Sequence, residues 1–491
     1  MQNLTSLLRK IQYLWIKSQF PSRIPIEIKN IDKICIFLIC CTISILSSYE
    51  LTTNPLQNFQ LIIPLIVNFF EILICCGVLV YVSRKENPMI NIRQIFLIIG
   101  LLLLIQIIKI NFELVSPLAI IVPPALIISQ GMGTITALSW VSIACINWPN
   151  YENGINDYLL LITFISSCIV AILGGKIRSR AQLLQISILV PLGAFISQLF
   201  LLGINNKVSY NLNIQDLIYK PGDIISDSIL LAILMLMAII FMPILESIFG
   251  LLTKARLLEL ADQENPLLRR LSIEAPGTFE HTLLLCGLAE EATRMIGGDV
   301  DLIKTGALYH DIGKLHAPNW FIENQNGRIN PHDELNNPFE SAKILQEHVD
   351  KGLQIARKYR LPKSISDFIP EHQGTLKMGY FLYKAKENYK NVSENDFKYN
   401  GPIPQSKETA ILMLADGCEA ALRAMNINAS DEEALKIISK LINSRILDGQ
   451  LYDSNLTKGE IFLIKRSFLN VWKRIRHRRI QYPTTTNNTF S

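Results

Sequence analysis

The chain has 491 residues, 49% of them hydrophobic and 18% charged, with a formal net charge of +5 and a mean hydropathy of +0.28. One compact core does not hold this many residues, and the apolar ones are unevenly placed, so a membrane half followed by a soluble half is expected. Nine cysteines without a C-x-x-C pair exclude a disulfide framework and zinc or dithiol chemistry, and the mild positive charge calls for no nucleic acid polymer as partner.

Residues 1–32 carry Arg9, Lys10, Lys17, Arg23 and Lys29 but no small-residue cleavage site, and read as a cytoplasmic N-terminal segment. A transit peptide is the alternative, because no acidic residue precedes Glu27. Apolar runs follow at roughly 33–48, 61–82, 95–110, 114–130, 132–148, 158–174, 183–203 and 228–249. The third to fifth fall short of the ~20 residues that cross a bilayer comfortably, and Pro123-Pro124 is expected to kink the fourth. The connections bearing Arg84, Lys85, Arg93 and Lys176, Arg178, Arg180 are basic, whereas 49–60, 149–157 and 205–227 are neutral, acidic or mixed. That alternation fits eight crossings with both termini inside. Glu71, within the second run, is expected to be hydrogen-bonded to a neighbouring helix rather than to line a transport path.

Gly250–Ala261 reads as a helix leaving the membrane. After Pro276-Gly277-Thr278 a helix begins, capped by Thr278, with the stripe Leu284, Leu285, Leu288, Ala292, Met295. His281 falls in its first turn, where the positive helix end favours an unprotonated imidazole suited to a metal. A second helix, about 301–313, buries Leu302, Ile303, Ala307 and Leu308 and ends in His310-Asp311-Ile312-Gly313-Lys314. Beyond the loop Pro318–Pro338, a helix opening at Pro338 turns Ile344, Leu345, His348 and Gly352 to one face. A short one from about Pro362 groups Ile365, Phe368, Ile369 and His372. A polar insert, Asn388–Pro404, precedes helix 405–425, where Asp416 lies on an apolar stripe with Leu412 and Ala420. A carboxylate there needs a cation. Ser430 and Glu433 form a capping box. A basic helix (Lys473, Arg474, Arg476, Arg478, Arg479) of solvated or lipid-facing character comes next, then a Thr/Asn tail expected to be disordered. No strand pattern appears, and the soluble half reads as all-α.

Six of the seven histidines (His281, His310, His316, His332, His348, His372) fall between residues 281 and 372. With the His310-Asp311 pair, whose carboxylate can reach two cations, they point to a dinuclear metal hydrolase.

The ordered runs Asn265–Arg270, Glu274–Thr278, His310–Lys314, Glu323–Gln325, Asn330–Asp333, His348-Val349, His372–Thr375, Met413–Asp416 and Asp448–Gln450 resemble the cytoplasmic HD phosphohydrolase domain of the seven-transmembrane receptors with intracellular HD hydrolase. Residues 61–249 resemble that family's membrane module. The resemblance implies domains at 33–249 (about eight spans), 250–275 (helical connector), 276–483 (HD phosphohydrolase) and 484–491 (tail). It implies hydrolysis of a cyclic dinucleotide, cyclic di-AMP, to a linear one by a metal-bridged hydroxide. His281, His310, Asp311 and Asp416 would hold one iron or manganese ion, and Asp311, His348 and His372 a second, with Lys314 a candidate phosphate contact.

His316 and His332 match no ligand of the family and read as loop or surface residues. The family usually has a histidine where Gln373 stands, which makes Gln373 at best a weak ligand. Only about a dozen residues separate the first two runs, too few for the family's extracytoplasmic sensor domain. A receptor that binds a nucleotide without turnover, and a phosphohydrolase acting on another nucleotide, are the competing expectations. The partners implied are the dinucleotide and a lipid bilayer, a bacterial inner membrane or a plastid membrane with the domain in the stroma. Self-association is left open.

Overall fold

The computed structural model describes residues 30–50, 62–86, 90–111, 116–148, 155–208, 221–325, 327, 329–426 and 429–477. The expectations for the N-terminal segment, the outer connections 51–61, 149–154 and 209–220, Arg478, Arg479 and the tail lie outside these residues. The chain divides into two units, Met1–Arg256 and Leu257–Ser491.

All eight apolar runs of the first unit are helices: α1 (Asn30–Glu50), α2 (Ile62–Glu86), α3 (Ile92–Asn111), α4 (Pro117–Met132), α5 (Thr134–Ile146), α6 (Ile155–Gly174), α7 (Arg180–Val208) and α8 (Pro221–Phe249). Stretches of α2, α3, α7 and α8 are long and apolar enough to cross a membrane, while the apolar parts of α1, α4, α5 and α6 are shorter. Pro123-Pro124 lies inside α4 without ending it. α4 is buried along nearly its whole length and turns into α5 at Gly133, whose φ of 115° suits glycine. Lipid tails are as apolar as leucine, so close approach of small residues does the packing here. A Cβ on Gly174 would overlap the Ser129 hydroxyl, and one on Gly175 that of Thr134.

One end of the bundle gathers the basic connections. Glu86 accepts from Ile135 N–H (2.9 Å) and Thr136 N–H (2.5 Å), Gln130 bonds the Gly174 carbonyl, Arg180 lies 3.7 Å from Glu246, and Gln94 donates to Gly250 O (2.8 Å). The alternation of loop charge is thus matched by the direction of the helices. Glu71 departs from expectation: it lies on an exposed face of α2, not against a neighbouring helix.

The expected single helix after the last apolar run is broken. Gly250 takes a left-handed φ of 66°, and the chain restarts as α9 (Lys254–Leu260). The second unit continues with α10 (Pro266–Glu274), α11 (Pro276–Ile296), α12 (Val300–Tyr309), α13 (Pro331–Leu335), α14 (Pro338–Lys358), α15 (Lys363–Ser366), α16 (Phe368–Glu371), α17 (Gly379–Asn388), α18 (Lys407–Arg423), α19 (Asp431–Leu447) and α20 (Lys458–His477). Short 3-10 turns fill the loop after α12. Among the described residues the only β pairing is an isolated bridge, Lys377 to Lys398. The unit is all-α.

Helix α11 starts two residues before the expected cap, with Ala275 at the N-cap and Pro276 in its first turn, where a missing N–H costs nothing. Its buried face runs through His281, Thr282, Leu285, Leu288, Ala289 and Ala292, while Leu284 and Met295 are exposed. The Ser430–Glu433 capping box is present. Part of the basic run pairs within the protein while staying solvent-exposed: Lys473 with Asp431 (2.5 Å) and Arg474 with Glu291 (3.6 Å).

Candidate metal centre

Two close approaches set the centre. A Cβ on Gly306 would overlap the ring of Phe368, so α12 lies directly on α16. One helical turn further on in each chain segment, His310 and His372 meet, ring centroids 4.8 Å apart and nearly perpendicular. A Cβ on Gly313 would likewise overlap the carbonyl of His348, so the turn Ile312–His316 presses against α14 and puts Asp311 beside His348. Both approaches need glycine for lack of a side chain, since neither residue has a positive φ.

Three imidazoles are held the same way. His310 Nδ1 bonds Ala307 O at 2.7 Å, His348 Nδ1 bonds Leu345 O at 2.5 Å, and His372 Nδ1 bonds Phe368 O at 3.1 Å. A carbonyl only accepts, so each Nδ1 carries a proton, and Nε2 is the atom each ring has left for a cation. The Nε2 atoms converge on Asp311: His310 at 3.2 Å from Oδ2, His348 and His372 each at 3.6 Å from Oδ1. His281 completes the ring from α11, its Nε2 3.0 Å from Asp416 and its Nδ1 2.6 Å from Glu419.

Ligand atoms of His281, His310 and Asp416 form one group, and those of His310, Asp311 and His372 a second; within each, all lie within 4.8 Å of one another. The groups overlap at His310. Among the described residues, His310 Nε2, Asp311 Oδ1 and His348 Nε2 are buried without a hydrogen-bond partner. Orphaned acceptors of this kind are costly unless a cation satisfies them. Imidazole and carboxylate donors suit divalent first-row metals, so the residues fit a binuclear divalent-metal site.

The charges are tuned by the same neighbours. Burial opposes ionisation of Asp311, but His310 and Lys314 hold its carboxyl well below the usual range. Lys314, paired with Asp311 Oδ2 (2.8 Å) and Glu323 (2.6 Å), stays an ammonium despite burial, because those two carboxylates raise its pKa. Burial, with His310 next, lowers His372 to about 3. His281 is the exception: burial works against its proton, but Asp416 and Glu419 raise its pKa to about 10. It lies past the first turn of α11, and the carboxylates outweigh the helix end expected to keep it neutral.

The remaining predicted residues fall as follows. Gln373 points its amide nitrogen at His372 Nε2 (3.0 Å); that atom has no proton to give, so the amide oxygen cannot be the group facing it. His316, half-buried, bonds Gly313 O (2.7 Å). His332 is buried against Trp320 and Phe381 with Nε2 on Trp320 O (3.0 Å). Neither joins a ligand group; His316 lies in the turn Ile312–His316, while His332 is buried rather than at the surface because the loop 318–338 folds into packed turns. Two functional neighbours were missed: Glu419, legible as the i+3 partner of Asp416 on α18, and Glu323, which had no signal beyond its motif. Thr278 is no cap but receives one: Asn324 accepts its N–H (3.1 Å), and its hydroxyl donates to Glu323 (3.0 Å).

Residues 62–253, helices α2 to α8 and the turn beyond, match the family "7TM receptor with intracellular HD hydrolase", and residues 278–421 match the HD domain. The chain is 49% identical over 252 residues to the "Uncharacterized protein slr0104" of Synechocystis, covering 50% of this chain and 31% of that protein. It is 33% identical over 451 residues to the "Cyclic-di-AMP phosphodiesterase PgpH" of Bacillus subtilis, covering 88% of this chain and 62% of that one. The Listeria monocytogenes protein of the same name is 31% identical over 414 residues, with 82% and 55% covered. The chain thus spans less than two thirds of the length of each of these relatives.

Proposed function

This chain is a 7TM-receptor-type domain fused to an HD-type hydrolase domain, and on that premise we propose that it is a membrane-anchored, metal-dependent phosphodiesterase opening cyclic di-AMP to a linear dinucleotide. The observation that carries this is the set of buried, unpartnered Nε2 and Oδ1 atoms turned towards one another. Substrate and product follow from the relatives named cyclic-di-AMP phosphodiesterase.

His281, His310, Asp311 and Asp416 would hold one cation and Asp311, His348 and His372 the other, with iron or manganese suiting the donors. When bound, the cations would supply Lewis acidity towards the phosphoryl oxygens and an acidified water as nucleophile. The chain's own residues do the rest. Three backbone carbonyls fix the imidazole tautomers, and Glu419 orients His281 as outer carboxylates do at metal-binding histidines. Lys314, bonded to both Asp311 and Glu323, holds Asp311 ionised and aimed rather than reaching for the phosphate. The connector and domain bounds expected from sequence stand as part of this reading. So does a cytoplasmic HD half, since the basic connections share an end of the bundle with Gly250.

A receptor that binds without turnover draws on one observation, the Gln373 amide resting on the His372 atom a second cation would need. The purified full chain, loaded with manganese and given a panel of cyclic dinucleotides and nucleoside triphosphates, separates these. Linear product from cyclic di-AMP supports the proposal. Binding without product supports the receptor, and turnover of another nucleotide alone replaces the substrate.

A further inference from the structure

The polar insert 388–404 is fastened to the helix that carries His348. Phe397 is fully buried with Ala342, Phe381 and Leu382. Gln346 on α14 donates to the carbonyls of Asp396 (3.0 Å) and Lys398 (2.8 Å). Met378 N–H bonds Phe397 O (2.8 Å) and Tyr399 N–H bonds Leu376 O (3.0 Å). Residue 399 is therefore positioned from both sides by backbone.

That residue is a tyrosine whose ring meets His348 edge to face, centroids 5.9 Å apart and planes at 82°. Tyr399 is half-buried, whereas the histidines and Asp311 are buried. Burial pushes its phenol pKa up, and Lys314, Asp311 and Asp416 all lie near enough to act on it electrostatically. Its hydroxyl has no hydrogen-bond partner among the described residues.

The neighbouring donors are already committed. Lys314 bonds Asp311 and Glu323, His281 bonds Asp416 and Glu419, and the Gln373 amide nitrogen is on His372. The cluster otherwise presents carboxylate oxygens and imidazole lone pairs, which accept but cannot donate. A phosphodiester has the opposite need, since its non-bridging oxygens only accept. An uncommitted O–H that burial keeps neutral, beside a ring of acceptors, is matched to that need, and it adds no charge for the site to hold.

We propose that Tyr399 is a substrate-contacting catalytic residue whose hydroxyl donates a hydrogen bond to a non-bridging oxygen of the phosphodiester at this centre. The inference rests on the phosphodiesterase reading and adds a residue of the insert to it. The edge contact with His348 comes from the ring alone, so Tyr399→Phe keeps the packing and removes only the donor.

The test uses the full chain in detergent or nanodiscs, loaded with manganese, and two substrates: cyclic di-AMP and bis(p-nitrophenyl) phosphate, which shares only the phosphodiester. Tyr399→Phe is expected to lower kcat/KM roughly ten- to hundredfold on both, the worth of one hydrogen bond to a charged group, with bound manganese per chain and Tm unchanged. Equal activity of Tyr399→Phe and the parent overturns the inference. A loss confined to cyclic di-AMP also overturns it, because the hydroxyl would then serve the base or sugar. A fall in bound manganese assigns Tyr399 to the integrity of the centre and equally overturns it. If the parent turns over neither substrate, the phosphodiesterase reading has failed instead.

Discussion

Gly313 and His348 touch backbone to backbone, so closely that a methyl group on the glycine would overlap the histidine's carbonyl oxygen. Gly352, one turn further along α14, lies against the same spot, its missing Cβ position 3.4 Å from Gly313 N. Gly313→Ala must therefore push the turn off α14. We expect a loss of about 1–3 kcal/mol in stability, typical of overpacking, and a centre opened between Asp311 and His348. Thermal unfolding and manganese stoichiometry of the variant check this; an alanine variant that binds two ions at parental affinity refutes it.

Asp311 lies within 3.6 Å of three imidazoles and 2.8 Å of Lys314. Asp311→Asn keeps the shape and removes the charge. Turnover of cyclic di-AMP should fall more than about 100-fold, beyond the range for losing an outer partner of a metal ligand, and one of two manganese ions should be lost. Activity assays with metal analysis read both.

Glu419 touches the centre only through His281. Glu419→Gln should weaken metal binding about 10–100-fold without abolishing it. Excess manganese should then recover most of the activity, which it would not do for Asp311→Asn. Titration of activity against free manganese separates the two.

His281 makes metal binding pH-dependent. Its pKa near 10 means that without metal it is protonated at pH 7, and a cation on Nε2 must expel that proton. Apparent affinity should rise with pH, by up to about tenfold per unit below 10, with proton release measurable by calorimetry in buffers of different ionisation enthalpy. The stability of the metal-free protein should show the opposite trend. A pKa raised from 6.5 stabilises the fold fully below 6.5, and that stabilisation is lost as pH climbs through 10. Thermal melts of the metal-free protein across pH 6–10 test the sign.

The histidine cluster was legible because a buried histidine must match the apolar period of its helix. His348 with Leu345 and Gly352, and His372 with Phe368 and Ile369, carry that pattern in their spacing alone. Asp416 stood out because a carboxylate on an apolar stripe demands a cation. What spacing could not supply was the surroundings that long-range packing brings together. Glu323 and Asn324 reach Thr278 across 45 and 46 residues, and Tyr399 reaches His348 across a loop with no periodic pattern. The buried face of α11 was misplaced by a residue or two because Leu284 and Met295 are as apolar as their buried neighbours. In the first unit the reverse held. Apolar runs and loop charges gave the helices, but the small-residue contacts around Gly174 and the exposed position of Glu71 needed coordinates.

Tyr309, the residue before the His-Asp pair, is fully buried, and its phenol donates to the carbonyl of Leu260 (2.8 Å), while Thr305 bonds Leu257 O (3.1 Å). The first turn of the second unit is thus latched to the helix that ends at the ligands. Were residues 257–260 tugged by even an ångström, α12 would have to travel with them and drag its neighbouring imidazole along. Otherwise the latch parts and leaves a buried carbonyl stranded, at about 1–3 kcal/mol. The histidine cluster and the incoming chain are bolted together by one phenol and one threonine hydroxyl.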